Sequence, residues 1–558
     1  MAGAERAFWT ARYPKGVPAT VEATVNQYRS TLDVFEETVG RFPTKPAFTC
    51  MDRTLTFSEL NRKAESFAAF LQGELKMKKG DRIAIQMPNI LQYPIVLFGA
   101  IKAGLIIVNT NPLYTEREMK HQFNDAGCTA VVILANFAHN LGKVLHETKI
   151  QHVIVTELGD MLGFPKNLVV NAVVKHVKKM VPEYSLPDAI PFTHALERGA
   201  RLTCTRVPME LDEVAFLQYT GGTTGVAKGA MLTHRNVVSN MEQIRCWMLP
   251  LLKEGEEIVI CALPLYHIFA FTVNALAIAK FGGHNILIPN PRDIPAFIKD
   301  IKKYKITVFT GVNTLYNALM NNPEFAKLDF SHLKLAVAGA MALQKSVATR
   351  WKEMTNSPIV EGYGLTETSP VACCNPIDGT DRTGTIGLPV PSTLIKMIDD
   401  DGKEVPIGEP GEICIKGPQV MKGYWQRADE TANVMTADGW FKSGDIGIMD
   451  NDGFTKIVDR KKDMILVSGF NVYPNEVEDV IALHPGVLEV AAIGIKDEKS
   501  GEVVKIFVVK KDPSLTAEQL ITHARKDLAG YKVPKAVEFR TELPKTNVGK
   551  ILRRALRE

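Results

Sequence analysis

The 558-residue chain has little cysteine and almost no excess charge of either sign. Its eight cysteines are scattered, none forms a C-x-x-C pair, and no H-E-x-x-H occurs, so a zinc site has no support. At this length and density they do not read as a disulfide scaffold either, which points to a reducing, cytoplasmic setting. Lysine and arginine number 66 against 62 acidic residues, a net charge of +4. That argues against nucleic acid as a partner and permits contact with an anionic membrane surface. The first 20 residues carry charges and no apolar core, so no secretory signal is expected. No G-x-S-x-G occurs, which removes the commonest hydrolase elbow. The Walker A pattern also fails. Lys228 sits between Ala227 and Gly229, while Gly549-Lys550 is followed by Ile551 and has Pro544 where the first glycine should be.

What is present fits a soluble globular protein: 46% hydrophobic and 23% charged residues. The length exceeds one ordinary core, so two or more domains are expected. Residues 258–279 lack Asp, Glu, Lys and Arg and are long enough to span a bilayer. Pro264, Tyr266, His267 and Asn274 interrupt them, and a buried strand, turn and helix explain the run better.

Helix-like and strand-like stretches alternate through the first two thirds. Residues 56–72 keep helical spacing in Leu60, Ala64, Phe67, Ala68 and Leu71. Residues 82–86, 105–108, 131–134, 153–155, 306–309 and 335–337 read as strands, and 93–103 as a helix. Such alternation predicts layered α/β architecture. From about residue 383 glycines, prolines and short β-rich runs dominate, which fits a small β-subdomain over about 383–460. The cluster Asp459-Arg460-Lys461-Lys462-Asp463 reads as a hinge or, alternatively, a solvated turn. About one hundred residues with their own helices (476–483, 516–528) and strands (491–495, 504–509) follow it. In 166–181 valines recur at helical spacing, with Asn171, Lys175, His176, Lys178 and Lys179 opposite. Two readings are open: a basic amphipathic helix lying on an anionic membrane, or, favoured here, a surface helix facing the core.

The densest chemistry lies in Tyr219-Thr220-Gly221-Gly222-Thr223-Thr224-Gly225-Val226-Ala227-Lys228-Gly229. Glycines let a backbone approach a ligand closely. Successive N–H groups in such a loop form an anion-binding concavity, to which the threonines and Lys228 add donors and charge. The stretch reads as a phosphate cradle; a plain surface loop is the alternative. His267 ends the apolar run Leu263-Pro264-Leu265-Tyr266, as a pocket-mouth donor or a satisfied core histidine. In Glu361-Gly362-Tyr363-Gly364-Leu365-Thr366-Glu367-Thr368, Tyr363 can offer a ring to a flat base, Thr366 a hydroxyl to phosphate, and Glu367 an oxygen to Mg²⁺. Asp445 follows the turn at Asp438-Gly439 and can accept from ribose hydroxyls, with Arg460 beside the same ribose or a phosphate. Lys550, near the C-terminus on Pro544-Lys545-Thr546-Asn547-Val548-Gly549, can neutralise a phosphoryl transition state if brought in late. Each alternative is bland: a capped turn, a β-turn, a surface charge, a basic tail.

This set, in this order, resembles the adenylate-forming superfamily of acyl-CoA synthetases, luciferases and peptide-synthetase adenylation domains, from about Phe35 to Arg554. The block 438–465 resembles the signature region of its long-chain fatty-acyl-CoA synthetases. Ala227 stands where many members have proline, and Thr220 before Gly221-Gly222 where many have serine; neither removes a phosphate donor. The resemblance implies an α/β fold with a large N-terminal domain (1–460) of layered subdomains plus the small β-subdomain. It also implies a small mobile α+β C-terminal domain (461–558), hinged at Lys462. It implies a two-step ligase. A long-chain fatty acid attacks the α-phosphorus of ATP to give acyl-AMP and pyrophosphate, and the thiol of CoA then displaces AMP. Mg²⁺ would assist; a homodimer and peripheral contact with the inner face of the cell membrane are compatible.

By the same resemblance Thr220, Gly221, Gly222, Thr223, Thr224, Gly225 and Lys228 hold the β- and γ-phosphates, and Tyr219 belongs to the same nucleotide site. Gly339, Ala340, Glu361, Gly362, Tyr363 and Gly364 surround the adenine. Thr366 meets the α-phosphate, Glu367 ligates Mg²⁺, and Asp445 and Arg460 hold the ribose. His267 and Lys550 act on the carboxylate. Phe271, Val312 and Thr314, with Gly339, line the acyl tunnel, and Ser468, Gly469 and Phe470 border the entering thiol. A medium-chain or aryl acid ligase, a nucleotide-binding switch and an oxidative luciferase-like enzyme are the rival readings.

Overall fold

The computed structural model describes residues 7–220, 227–468, 470–497, 499–546 and 549–557. Two large sheets form the body. A seven-stranded sheet runs Ile190–Pro191, His152–Thr156, Ala130–Leu134, Arg82–Gln86, Ile106–Asn109, Val214–Thr220, Lys228–Thr233. All its neighbours are parallel except the last two strands, which pair antiparallel with Thr220 opposite Lys228. A nine-stranded sheet has the parallel core His284–Leu287, Ile258–Cys261, Val308–Gly311, Leu335–Ala338, Ile359–Gly364. These buried, β-branched runs are what a sheet covered on both faces requires.

Local sequence sets the element ends. Helix Phe57–Gly73 begins where Thr56 Oγ1 accepts from the Glu59 N–H (3.1 Å) and Glu59 returns the bond to the Thr56 N–H (3.0 Å). Helix Ala517–Asp527 starts on the same reciprocal cap between Thr516 and Gln519.

The predicted β-rich region is a four-stranded antiparallel sheet, Leu394–Ile398, Gly411–Lys416, Phe441–Met449, Thr455–Arg460. Sheet membership then changes. Ile465–Val467 opens a five-stranded sheet with Phe470–Val472, Gly501–Lys510, Val487–Asp497 and Ala536–Arg540, packed by helices Pro474–Ala482 and Ala517–Asp527. The mixed α/β class and the large-plus-small arrangement are as expected.

Residues 258–279 form the strand Ile258–Cys261, a turn, and a buried helix (Ile268–Ala270, then π-wound Phe271–Ile278). Among the described residues no helix is long and apolar enough to cross a membrane. The strand expected at 306–309 lies at Val308–Gly311, two residues later.

One expectation fails. The helix over 166–181 does not face the core. It is α-helical over Lys166–Ala172 and π-wound over Val173–Val177, and none of these residues is buried. Val169 is 58%, Val177 73% and Met180 54% exposed, beside Phe164 at 84%. Periodicity reported an apolar stripe correctly, but among the described residues no element buries it.

Trp351 anchors one face of the nine-stranded sheet. It packs on Tyr316 (4.7 Å between ring centroids) and Phe309 (5.5 Å), fully buried. We expect Trp351→Ala to cost about 3–5 kcal/mol through the cavity it leaves. A thermal melt should show a clearly lower midpoint than wild type; an unchanged one would refute this.

Candidate active site

The two large sheets, the four-stranded sheet and the C-terminal tail meet at a cavity of about 970 Å³. Its walls begin where parallel strands end: Thr220 after Phe216–Leu217, Gly339 and Ala340 after Leu335–Ala338, Gly362 to Leu365 at the end of Ile359–Gly364. The open side of a sheet's carboxyl ends is where such folds bind ligands. A groove of about 1310 Å³ adjoins it and shares Tyr363, Arg460 and Lys550 with it.

At the polar end several carboxylates have donors from elsewhere in the chain. Asp445, on the four-stranded sheet, accepts from Tyr363 Oη (2.6 Å) and pairs with Arg460 Nε (3.2 Å). Arg460 is its register partner on the neighbouring strand. Glu367 is buried, which pushes its carboxyl up, while a hydrogen bond from Tyr424 Oη (2.6 Å) opposes the rise. Glu361 accepts from the Gly384 N–H (2.8 Å), and burial pushes it up to about 7. Lys228 pairs with Glu430 and lies 5.4 Å from the Tyr424 ring centroid. Tyr219 donates to Asp125 Oδ2 (2.7 Å), whose other oxygen accepts from Arg427 (2.8 Å). That anchor fixes the strand leading into the glycine loop; Gly221, Gly222, Thr223, Thr224 and Gly225 lie outside the described residues.

Several small residues are dictated by space. A Cβ at Gly364 would sit 2.0 Å from the Pro370 carbonyl oxygen. One at Gly339 would stand 3.0 Å from Phe269 and 3.3 Å from the Gly362 carbonyl oxygen. Ala340 holds a left-handed φ of 65°.

Lys550 reaches the same cavity from the tail, as do His267, Thr366 and Glu367. Thr314 Oγ1 donates to the Gly549 carbonyl oxygen (3.4 Å), and the Lys550 N–H donates to Thr546 Oγ1 (3.1 Å). Burial, with Arg460, Arg553 and Lys462 nearby, lowers the Lys550 ammonium to about 8. His267 accepts from the Phe269 N–H (3.4 Å) through Nδ1; burial, helped by Lys550, lowers it to about 4. It is therefore neutral at pH 7.

The apolar end is lined by Ile244, Trp247, Met248, Val273, Ile278 and Val308. Here two expectations need correction. Phe271 does not line the cavity: it is fully buried, edge-on to Phe216 at 4.9 Å. Phe269 and Val273 reach the cavity, and a residue two positions from each points the other way around the helix. Val312 is buried outside the lining, against the Gly549 turn, and Thr314 faces the adjoining groove. Ser468 and Phe470 are exposed and outside both cavities, Phe470 stacking on Tyr531 at 5.0 Å; Gly469 lies outside the described residues. Lys462 lies beside Arg460 at the rim. Asp125, Tyr424, Arg427 and Glu430 were not anticipated. The aromatic pair Tyr424-Trp425 in a glycine-rich stretch was the available signal for that segment; Asp125, in the last turn of helix Glu116–Ala126, carries none.

Residues 35–425 match the AMP-binding enzyme family and residues 476–550 its C-terminal domain. The chain belongs to the AMP-binding enzyme family. Within that family it is 58% identical over 550 residues to the long-chain-fatty-acid–CoA ligase of Escherichia coli O6:H1, covering 99% of this chain and 98% of that one. The long-chain-fatty-acid–CoA ligase of Bacillus subtilis is 40% identical over 554 residues, 99% and 97% of the two chains. Among solved structures, an anthranilate CoA ligase in complex with anthranoyl-AMP superposes with a TM-score of 0.84 at 25% identity, covering 95% and 97%. ATP-bound MatB from Rhodopseudomonas palustris gives 0.79 at 27%, covering 94% and 98%.

The lowered Lys550 has a direct readout. Labelling by a small amine-reactive reagent, followed by mass spectrometry across pH, should turn over near 8 at Lys550. Ordinary lysines turn over near 10.4. A turnover at the ordinary value would remove the burial account.

Proposed function

We propose that this AMP-binding enzyme is a long-chain fatty acid–CoA ligase that works through acyl-AMP. The observation that carries it is one cavity with a charged, donor-rich end and a long apolar end, in a chain 58% identical to a ligase of that name. A fatty acid's headgroup would lie at the polar end and its tail along Ile244, Trp247, Val273 and Val308. Each methylene buried there contributes about 0.8 kcal/mol, so a long chain gains most.

ATP would sit with its adenine between Gly339-Ala340 and Glu361–Tyr363, its ribose on Asp445 and Arg460, and its β- and γ-phosphates on Thr220 and Lys228. Thr366 donates to the α-phosphate. Asp445 is suited to the ribose because Tyr363 and Arg460 already hold it in place, so it accepts two hydroxyls without rearranging. No set of three or more metal-ligating side chains exists among the described residues. Mg²⁺ does not need one: it is commonly held by one or two carboxylates plus substrate phosphates. Glu367, a hard oxygen donor on the cavity wall steadied by Tyr424, fits that role. When bound, the ion would neutralise charge on the departing pyrophosphate.

Phosphoryl transfer depends mainly on positioning and charge stabilisation. Lys550 supplies that charge between the carboxylate and the α-phosphate, and neutral His267 steadies the carboxylate. Lys462 is the proposed pivot about which residues 461–558 turn after adenylation. The turn would withdraw Lys550 and bring Ser468–Phe470 to the site for the CoA thiol.

The exposed ridge of Phe164, Leu168, Val169, Val177 and Met180, with Lys175, Lys178 and Lys179, is the proposed contact with the inner face of the cell membrane, where such acids partition. Each lysine near an anionic surface contributes about 1 kcal/mol. Replacing the three by alanine should lower partitioning onto phosphatidylserine vesicles on the order of 100-fold. Unchanged flotation would refute the assignment.

The test of the reaction is pyrophosphate release with oleate and Mg·ATP, followed by acyl-CoA formation when CoA is added. Octanoate and benzoate should be poorer substrates. Lys550→Ala should lose acyl-AMP formation by about 100-fold or more while still converting supplied oleoyl-AMP and CoA. No pyrophosphate from wild type would overturn the function. Equal loss of both half-reactions would overturn the role of Lys550.

A further inference from the structure

The tail that carries Lys550 is tied most densely through one side chain. Arg553, three residues on, is 14% exposed and makes four charge-assisted or polar hydrogen bonds. Its Nε and Nη2 donate to the two oxygens of Glu478 (3.0 and 2.8 Å), Nη2 also to Asn475 Oδ1 (2.6 Å), and Nη1 to Asp459 Oδ1 (3.0 Å). Asp463 stands 3.6 Å from Nη1. A planar guanidinium spreading over two carboxylates is the geometry arginine supplies and lysine does not.

These partners sit on different bodies. Glu478 and Asn475 belong to helix Pro474–Ala482, which packs on the five-stranded sheet with the tail. Asp459 belongs to the last strand of the four-stranded sheet, before Lys462, and is 1% exposed. Asp459 Oδ2 accepts a second bond from the same side, the Asn475 N–H at 2.8 Å. Burial pushes both Asp459 and Glu478 up, and Arg553 opposes the rise in each. Among the described residues, another bond from the tail to the body is the long one from Thr314 to Gly549.

We propose that Arg553 is a positioning residue for adenylation: its bond to Asp459 locks Lys550 into the cavity, and breaking that bond releases the small domain for the thiol step. The proposal rests on the two-step reading above. Within it, the bonds to Glu478 and Asn475 travel with the small domain, and the bonds that Asp459 accepts from Arg553 and from the Asn475 N–H are the ones that must open. A latch of this kind speeds one half-reaction and is irrelevant to the other. A merely structural arginine would affect both alike.

The experiment follows the two half-reactions separately in the full-length protein. Arg553→Gln should slow pyrophosphate release at saturating ATP and oleate by about 10- to 100-fold, since a misplacement of about 1 Å can cost 100-fold. Thioester formation from supplied oleoyl-AMP and CoA should change less than about threefold by the same reasoning. Arg553→Lys, which keeps the charge, should recover part of the loss. Asp459→Asn, which leaves Arg553 paired with Glu478, should reproduce the selective loss, and the double variant should be no worse than the worse single one. The Asp459 variant also keeps the test decisive if Arg553→Gln melts early. Equal loss of both half-reactions, or additive losses in the double variant, would overturn the latch. Wild type that releases no pyrophosphate would overturn the two-step reading and the latch with it.

Discussion

Ionised groups carried into a half-buried cavity need partners already in place, and this requirement organises the molecule. A buried carboxylate without a donor is costly or simply takes up a proton. Here Glu367 has Tyr424, Asp445 has Tyr363 and Arg460, and Asp125 has Tyr219 and Arg427. Each pair spans two parts of the chain. Tyr363 comes from the nine-stranded sheet and Asp445 from the four-stranded one; Asp125 comes from a helix on the seven-stranded sheet and Arg427 from beyond the strand Gly411–Lys416. The hydrogen bonds that partner these carboxylates are thus the ones that hold the sheets around the cavity. Charge and architecture are not separate problems in this protein.

The same layout explains why one cavity can be polar at one end and apolar at the other. Parallel strands end on one edge, where backbone groups and turn residues become free for a ligand. Gly339 and Gly364 stand there because little else fits against Phe269, Pro370 and the neighbouring carbonyls. Deeper in, the walls are faces of helices and strands already committed to the core, so Ile244, Trp247, Val273 and Val308 present hydrocarbon without unpaired polar groups. Trp247 confirms the rule in detail: its ring lines the cavity while its Nε1 donates to the Asn375 carbonyl oxygen at 2.9 Å. An amphiphilic acid matches that gradient along its own length.

How much of this could be read beforehand depended on the range of the interaction. Phe57–Gly73 was legible because its apolar spacing and its Thr56–Glu59 cap are local. The segments bearing Tyr363, Thr366 and Asp445 were legible because glycine and hydroxyl residues cluster around them. Tyr219 with Asp125 is 94 residues apart in the chain and Arg427 with Asp125 is 302, and no local pattern announces such pairs. The ridge at 166–181 failed for a different reason. Spacing shows which side of a helix is apolar but not whether anything covers it, and here Val169 and Val177 stand in solvent. Phe271 failed because a position carried over from a resemblance does not fix which way its side chain points, whereas Phe269 and Val273 hold the cavity-facing side.

The cations at the cavity are of two kinds, and the difference bears on mechanism. Lys228 and Arg460 are strand residues, Arg460 pinned to Asp445 and Lys228 to Glu430. Lys550 comes from a tail turn whose loop closes on itself, Thr546 N–H donating to the Lys550 carbonyl oxygen at 2.7 Å and Leu552 N–H to that of Pro544 at 2.8 Å. A self-closed turn keeps its form when it leaves its neighbours, whereas a strand residue cannot withdraw without unpairing a sheet. Groups that bind what both steps share, the nucleotide, belong on strands. A charge needed while the phosphoryl transition state forms, and in the way once a thiol must approach from that side, belongs on an element that can detach whole. Lys550, partly desolvated and lowered to about 8, gains most from a polyanion beside it and has least holding it once that polyanion is gone. In the proposed two-step cycle, departure of pyrophosphate would weaken the grip on the tail at the step where the tail is proposed to move.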